Sequence, residues 1–462
     1  MTTNRLLRRG STITELPNLY ERFSLRDNPF PTSPTVNPTS SDPRDNGQIY
    51  CESLRQYEQT QFERLLVPSS SRPETRLMAF LMDYATRRGR GIGKTAFLTH
   101  QRRRIMEDLG YGLTNGNYVV MAAHLVPEGG GRTRKFWQFV RLVASSLNAD
   151  NCIATAIWRL RAFSGVIPAD VLANVDQDNL EETIGNNHWL EDQGISVLFS
   201  LNPAVQRMLS QVGMDDEVAE SLARDGHASS EFERHFLRQR SDPWWRQGGY
   251  AFVFDALPKL YEAADINRVL LLVDEVEKMV TPQNRYERTA FVDDVRRYFV
   301  DGSFHSVHNR TYGVLWTIHP YVQELWQPYW HSAGLDRVCP IGGATSQEFT
   351  VYFKPMKPDE AAIPLVQEYM NHYRTQSGVS GSLTPFTAES VIAALDKSDG
   401  LPGPMLTLLR IALERAIEDG WIEIGEDKIQ AIFSSMPPSE PDNQDDTTGV
   451  LSPPSTDLMG EG

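Results

Sequence analysis

The sequence is poor in cysteine and has no long apolar stretch. Three cysteines, Cys51, Cys152 and Cys339, occur far apart in 462 residues, and no C-x-x-C pair is present. This number and spacing exclude a disulfide framework and a zinc ribbon, and they favour a reducing, intracellular compartment. No run reaches the roughly 18 apolar residues of a spanning helix. The apolar centre of a secretory signal is missing from the N-terminal residues MTTNRLLRRGSTITEL. We therefore expect a cytoplasmic protein that does not act in a membrane.

Positive charge is also scarce. The chain has 45 Lys and Arg against 60 Asp and Glu, which gives a formal net charge of -15. This balance argues against a protein coated in basic charge for nucleic-acid binding. The charge balance is compatible with a local basic edge at Arg102-Arg103-Arg104. A solvated helix face is the alternative interpretation of this run. The ten histidines are scattered and form no H-E-x-x-H zinc pattern.

Five apolar runs predict the strands of a parallel sheet. The run at 269–273 is continuously apolar and bounded by polar residues, which is typical of a strand buried on both faces. For the run at 76–86 we predict a strand in its later half, with a helix as the alternative, because Leu and Met are not strongly β-biased. The other predicted strands are 117–126, 312–318 and 349–353. Helical patterns at 49–67, 94–109, 133–148 and 250–264 alternate with them, so the fold class is α/β.

Composition divides the chain into segments. Pro, Ser, Thr, Asn and Asp dominate residues 27–48, and such a stretch buries little apolar surface. The last residues are acidic and rich in proline. We predict an extended N-terminal segment (1–48), a core (49–345) that carries a helical insertion (150–248), a C-terminal helical domain (346–435) and a disordered acidic tail (436–462).

A glycine-rich loop lies between the first predicted strand and the helix that follows. Residues 87–95 read Arg-Arg-Gly-Arg-Gly-Ile-Gly-Lys-Thr. Glycines let backbone N–H groups turn inward around a phosphate, and a helix N-terminus favours negative charge. Lys94 is predicted to reach the β- and γ-phosphates of ATP, and Thr95 to place its hydroxyl on Mg²⁺. The predicted nucleotide-binding residues here are Gly89, Gly91, Ile92, Gly93, Lys94, Thr95 and Ala96.

The loop departs from the usual G-x-x-x-x-G-K-[ST] pattern at one place. Arg88 stands where the first glycine is expected, and Gly89 lies one position later. The part G-x-G-K-T is intact. The alternative interpretation is a glycine-rich turn before a helix, with Lys94 merely exposed.

A pair of carboxylates follows the predicted strand at 269–273. Asp274 and Glu275 end this apolar run, and at the carboxyl end of a strand in an open α/β sheet they would face the ligand crevice. We expect Asp274 to hold Mg²⁺, directly or through water, and Glu275 to polarise the attacking water. Strand-end capping is the alternative role.

The chain resembles AAA+ ATPases, within the branch of origin-recognition initiators and transposition or secretion helper ATPases. Five features carry this resemblance: Arg55-x-x-Glu58, G-x-G-K-T, Leu271-Leu272-Val273-Asp274-Glu275, Val314–Thr317 followed by His319-Pro320, and the C-terminal helical segment. The resemblance implies a P-loop NTPase core and a helical lid. It also implies an ATP hydrolase that needs Mg²⁺ and acts as a homo-oligomer on protein partners.

The resemblance implies further roles at single positions. Thr317 or His319 would be the polar sensor of the γ-phosphate, with an ordinary strand-end residue as the alternative. Arg337 would be an arginine finger for a neighbouring subunit, with a surface arginine as the alternative. Gly403 stands where the family commonly has a lid arginine, and Arg410 is a weak substitute. A winged-helix domain, which origin-recognition relatives carry after the lid, is expected to be absent, so any DNA contact would come from elsewhere.

Two other functions stay open at this point. One is a scaffold that binds nucleotide without turning it over, which Arg88 and Gly403 favour and Glu275 opposes. The other is a regulatory NTPase of a signalling or defence module, with residues 150–248 as its sensor.

Overall fold

A five-stranded parallel sheet lies at the centre of the structure, which is a computed structural model. It describes residues 18–34, 36–37, 40–83, 91–108, 118–176, 178–304, 311–375 and 380–436. The sheet has the order β2-β3-β4-β1-β5, and every pairing is parallel. Its strands are β1 (Met78–Asp83), β2 (Val120–Leu125), β3 (Arg268–Val273), β4 (Tyr312–Ile318) and β5 (Thr350–Phe353). The predicted α/β fold class is confirmed.

The strands form where the sequence has short apolar runs, because both faces of the sheet are covered. All six residues of β1 are buried, and the run at 76–86 forms a strand rather than a helix. The strand begins at Met78, earlier than the predicted later half of the run. Side chains alternate between two cores: Phe80 and Met82 pack on one face, and Ala79 and Leu81 on the other.

Helices cover both faces of the sheet. On the face of Ala79 and Leu81 lie α1 (Gln56–Leu66) and α2 (Lys94–Asp108). On the opposite face lie α3 (Phe136–Ala149), α11 (Leu257–Ala263), α13 (Arg285–Val295), α14 (Pro320–Ser332) and several helices of the stretch between α3 and α11. The short helix α12 (Glu277–Val280) follows β3. The α-helices described between α3 and α11 are α4 (Cys152–Phe163), α5 (Ala169–Leu172), α6 (Asn187–Asp192), α7 (Asn202–Gln211), α8 (Asp216–Asp225), α9 (Ser229–His235) and α10 (Asp242–Ala251).

Four helices form the C-terminal helical domain. They are α15 (Pro358–Tyr373), α16 (Ala388–Lys397), α17 (Pro402–Glu418) and α18 (Glu426–Ser435). Because β5 pairs with β1, the helices of this domain begin after Phe353 rather than at the predicted residue 346. The other predicted boundaries stay predictions, and the tail predicted to be disordered lies outside the described residues after 436.

The N-terminal segment packs against this helical domain. We call its described residues between 18 and 49 the strap. Four apolar side chains of the strap, those of Phe23, Leu25, Phe30 and Ile49, are buried in one core with α15, α16, α17 and α18. Arg44 holds the strap together by pairing with Asp27 and Asp42. Only Phe30 of these four lies within 27–48, the stretch that was expected to bury little apolar surface; the other three lie on either side of it.

We predict that Phe30→Ala lowers the free energy of unfolding by about 3–5 kcal/mol, since it opens a cavity at a fully buried aromatic position. Phe30 is 0% exposed and its ring centroid lies 5.8 Å from that of Phe386. Urea denaturation followed by circular dichroism measures the loss. Leu19→Ala, in the same strap but at a residue that is 60% exposed, is the control and should cost less than about 0.5 kcal/mol. Equal stability of the two variants would show that the strap is not docked.

Candidate functional site

A cavity of about 460 Å³ opens at the carboxyl end of the sheet. Its lining includes residues 91–96 at the start of α2, the ends of β3 and β4, the helical domain, and the strap with the residues up to Arg55 that follow it. The chain leaves β1 toward β2 at one edge of the sheet and leaves β4 toward β5 at the other edge. The cavity therefore lies at the topological switch point, where open α/β sheets bind ligands.

The loop before α2 has the geometry that its glycines predict. Gly91 and Gly93 have φ of 83° and 98°, which side-chain-bearing residues rarely adopt. Lys94 is the first residue of α2, so the positive end of that helix faces the cavity. Ile92 is buried and anchors the loop in the core beneath it. Gly89, with Arg88 beside it, lies outside the described residues.

The side chain of Lys94 is paired with a carboxylate that the sequence analysis did not single out. Its ammonium contacts Asp83, the last residue of β1, whose side chain is completely buried. The sequence did offer one signal for this pair: a carboxylate ends an otherwise apolar strand, and a buried acid needs a partner.

Asp274 lies at the end of β3 with donors around both of its oxygens. The backbone N–H of Glu275 donates to Oδ1 at 2.9 Å, and Nε2 of His124 lies 3.4 Å from Oδ2. Burial alone would raise the pKa of the Asp274 carboxyl, but the neighbouring His124 and Thr95 hydroxyl bring the pKa below its usual value. The carboxylate is thus kept ionised, as a metal ligand must be.

His124 is itself held by a second buried acid. Its backbone N–H donates to Asp150 Oδ2 at 2.7 Å, and Arg102 donates to Asp150 Oδ1 at 2.8 Å. Because β2 is an edge strand, its outward N–H groups have no neighbouring strand to bond, and Asp150 supplies the acceptor. His124 and Asp150 could not be predicted as site residues, because the sheet order that joins them to Asp274 is not visible in the sequence.

Glu275 has an unusual backbone and a partner of its own. Its φ is 45°, a left-handed conformation that is costly for a residue with a side chain. Its carboxylate contacts the ammonium of Lys278, and both side chains line the cavity and are more than a third exposed. Glu277 also lines the cavity, and burial, with Asp274 and Glu275 nearby, raises the pKa of its carboxyl.

Thr317 reaches the cavity from β4, the strand between β1 and β3. It lies beside Leu81 in the strand register. Its hydroxyl oxygen is buried without a hydrogen-bond partner among the described residues. His319 lines the same cavity, whereas Arg337 is exposed and does not. The role of Arg337 as an arginine finger stays a prediction.

Arg55 ties the loop to the end of the sheet. Its guanidinium donates to the carbonyl of Ile92 at 3.1 Å and to that of Lys354 at 3.0 Å. It pairs with Glu58 at 2.8 Å, and both residues are buried. Its face lies 4.5 Å from the ring centroid of Phe353. Arg55 and Glu58 therefore fix the glycine-rich loop against the end of β5.

The close contacts of Gly403 explain why a larger residue such as arginine does not occupy this position at the start of α17. Its backbone N–H donates to the carbonyl of Gly91 at 2.9 Å. A Cβ on Gly403 would lie 2.6 Å from the Pro34 carbonyl oxygen and 3.0 Å from Gly91 Cα. The strap, the loop and the helical domain meet here backbone to backbone. Arg410 donates to the Thr32 carbonyl at 3.3 Å and does not line the cavity, so it is no substitute for a lid arginine.

The oxygen atoms at this end of the sheet fit Mg²⁺. Asp274 Oδ2 and Thr317 Oγ1 are both buried and lack hydrogen-bond partners within the described part of the chain. No cluster of three His, Cys, Asp or Glu that could hold a metal alone occurs in that part. Mg²⁺ commonly takes one or two protein ligands and completes its shell with phosphate and water. Asp274 and Thr95 match that requirement.

Comparisons with known proteins give little further information. The sequence matches no protein-family model and no curated protein. One similar solved structure is that of the ORC2 protein of Aeropyrum pernix in ADPNP–ADP complexes, with 12% identity and a TM-score of 0.37, covering 86% of this chain and 69% of that one. A likeness of this size carries no conclusion about function. In the described residues, no helix has the length and apolarity needed to span a membrane.

We predict that Gly403→Ala destabilises the protein by about 1–3 kcal/mol, since the new methyl group would be forced into the Pro34 carbonyl. Thermal or urea unfolding measures this loss. The control is Gly129→Ala, because a Cβ at Gly129 has no heavy atom within 4 Å and should change stability by less than about 0.5 kcal/mol. A Gly403→Ala variant as stable as the wild type would contradict the close contact.

Proposed function

We propose that the protein is an AAA+-type ATPase that binds ATP with Mg²⁺ in this cavity and hydrolyses it. The observation that supports this most directly is the meeting of Thr95 and Asp274, which lie far apart in the sequence. The first is the hydroxyl that follows a phosphate-loop lysine, and the second is a carboxylate at the end of a neighbouring buried strand. Both residues line the same cavity, as the two ligands of a nucleotide-bound Mg²⁺ must.

The proposed roles follow from position. Backbone N–H groups of residues 91–95 would surround the phosphates, and Lys94 would neutralise charge on the β- and γ-phosphates. Thr95 and Asp274 would hold Mg²⁺, whose charge stabilises the polyphosphate. Thr317 would donate its hydroxyl to the γ-phosphate. Ala96 and Ile92 line the cavity and would contact the nucleotide through backbone or apolar atoms.

Glu275 would act as the base. Water attacks the γ-phosphorus, the bond to the bridging oxygen of ADP breaks, and the proton of the water passes to the Glu275 carboxylate. Glu275 must first leave Lys278, which is a small barrier because exposed ion pairs contribute little. Arg337 of a neighbouring copy would stabilise charge in the transition state, which is the reason for proposing a homo-oligomer.

Protein partners are favoured over DNA as the object of this ATPase. Each of Arg102, Arg103 and Arg104 forms an ion pair with a carboxylate of its own chain. These pairs weaken the interpretation of this run as a basic edge for DNA. The net charge of -15 points in the same direction.

The second candidate function is a nucleotide-binding scaffold or regulatory NTPase with little turnover. The specific observation in its favour is that α17 presents glycine, not arginine, to the loop, so no side chain of the lid reads the γ-phosphate there. The two candidates agree on binding and differ on hydrolysis.

Binding is tested with Lys94→Ala, which should weaken the affinity for Mg·ATP by at least about 100-fold, since a charge-assisted contact to phosphate is lost. Isothermal titration calorimetry measures the dissociation constant. Lys357→Ala, at an exposed lysine paired with Glu360, is the control and should bind as the wild type does. Absence of nucleotide binding by the wild type would overturn the proposed function.

Hydrolysis is tested with Glu275→Gln, which should keep nucleotide affinity and lower turnover by about 100-fold or more. Phosphate release is measured with and without DNA, and Glu360→Gln serves as the control. If the wild type turns over no faster than Glu275→Gln, the scaffold function replaces the enzyme.

A further inference from the structure

The buried acid Asp83 has no role in the site described so far. It ends β1, whose other residues are Met78, Ala79, Phe80, Leu81 and Met82. By strand alternation its side chain lies on the same face as Leu81, the face that α2 covers. A carboxylate that is 0% exposed in such surroundings remains charged only if a cation compensates it.

Lys94 supplies that cation. Its ammonium contacts the Asp83 carboxylate, and its side chain is only 11% exposed although it lines the cavity. The lysine proposed to bind phosphate is therefore already neutralised by its own chain. In this low-dielectric environment the attraction is strong, and so is the repulsion between Asp83 and an incoming phosphate.

The second ion pair of the cavity provides a comparison. Glu275 and Lys278 also neutralise each other, but their side chains are 39% and 38% exposed. Water screens that pair, so its effect on a ligand is small. Burial thus singles out the Asp83–Lys94 pair as the one that affects the affinity.

We propose that Asp83 is a further residue of the nucleotide site, an internal counter-ion of Lys94 with which the nucleotide phosphates compete. This inference rests on the proposed function, since it requires that Lys94 bind phosphate. It assigns Asp83 the effect of lowering affinity and speeding nucleotide exchange. A carboxylate that merely steered Lys94 toward the phosphate would have the opposite effect, so the direction of the change decides between the two.

The experiment compares Mg·ATP affinity, measured by calorimetry, for the wild type, Asp83→Asn and Asp83→Ser. Both variants are expected to bind about tenfold tighter, because the competing charge is gone. Asp301→Asn removes a half-exposed carboxylate paired with Arg296 and controls for the change in net charge. It should bind as the wild type does. Tighter binding is a result that structural damage does not produce.

Every other outcome of this experiment also supports or overturns the proposal. Unchanged or weaker binding by folded Asp83 variants overturns the proposal, while Lys94→Ala still reports on the proposed function. Variants that fold only when Mg·ATP is present support the proposal, because phosphate then replaces the carboxylate. Variants that stay unfolded with saturating Mg·ATP overturn it. If the wild type and the folded variants all fail to bind nucleotide, the proposed function itself is wrong.

Discussion

The convergence of Thr95 and Asp274 on one cavity is the constraint on which the rest of the site depends. Thr95 lies in the first turn of α2, the helix that follows β1 along the chain, and Asp274 follows β3, two strands away from β1 in the sheet. Only a sheet that places β4 between them brings both groups to one cavity and adds Thr317 from the intervening strand. The buried Asp274 in turn needs donors, and the Glu275 N–H and His124 complete its surroundings. The sheet order thus determines the chemistry at its carboxyl end.

A second constraint acts on the loop from outside. Gly91 is held by the Gly403 N–H, and Pro34 of the strap lies against Gly403. The strap and the helical domain share one apolar core, so they contact the loop as a unit. Any movement of the helical domain would therefore displace the glycine-rich loop through backbone contacts, without the need for a lid arginine. A nucleotide-dependent change in the helical domain would be transmitted by the same contacts.

Much of this could be predicted from the sequence because the signals are local. The run at 269–273, the glycines of the loop and the carboxylates at 274–275 are each contiguous, and the structure has them as strand, turn and strand end. The residues that were missed depend on non-local packing. His124 lies beside Asp274 only because β2 pairs with β3. Asp83, at the end of β1, contacts Lys94, at the start of α2. The packing of the strap against the helical domain was not predicted, because its four buried apolar residues are scattered among polar ones.

The most direct measurement is a crystal structure of the protein with Mg²⁺ and a non-hydrolysable ATP analogue. The account predicts the phosphates against the backbone amides of residues 91–95, with the metal between the Thr95 hydroxyl and Asp274. It also predicts that Lys94 has turned from Asp83 toward the phosphates. An analogue bound elsewhere at saturating concentration, or a cavity that stays empty, would contradict the account.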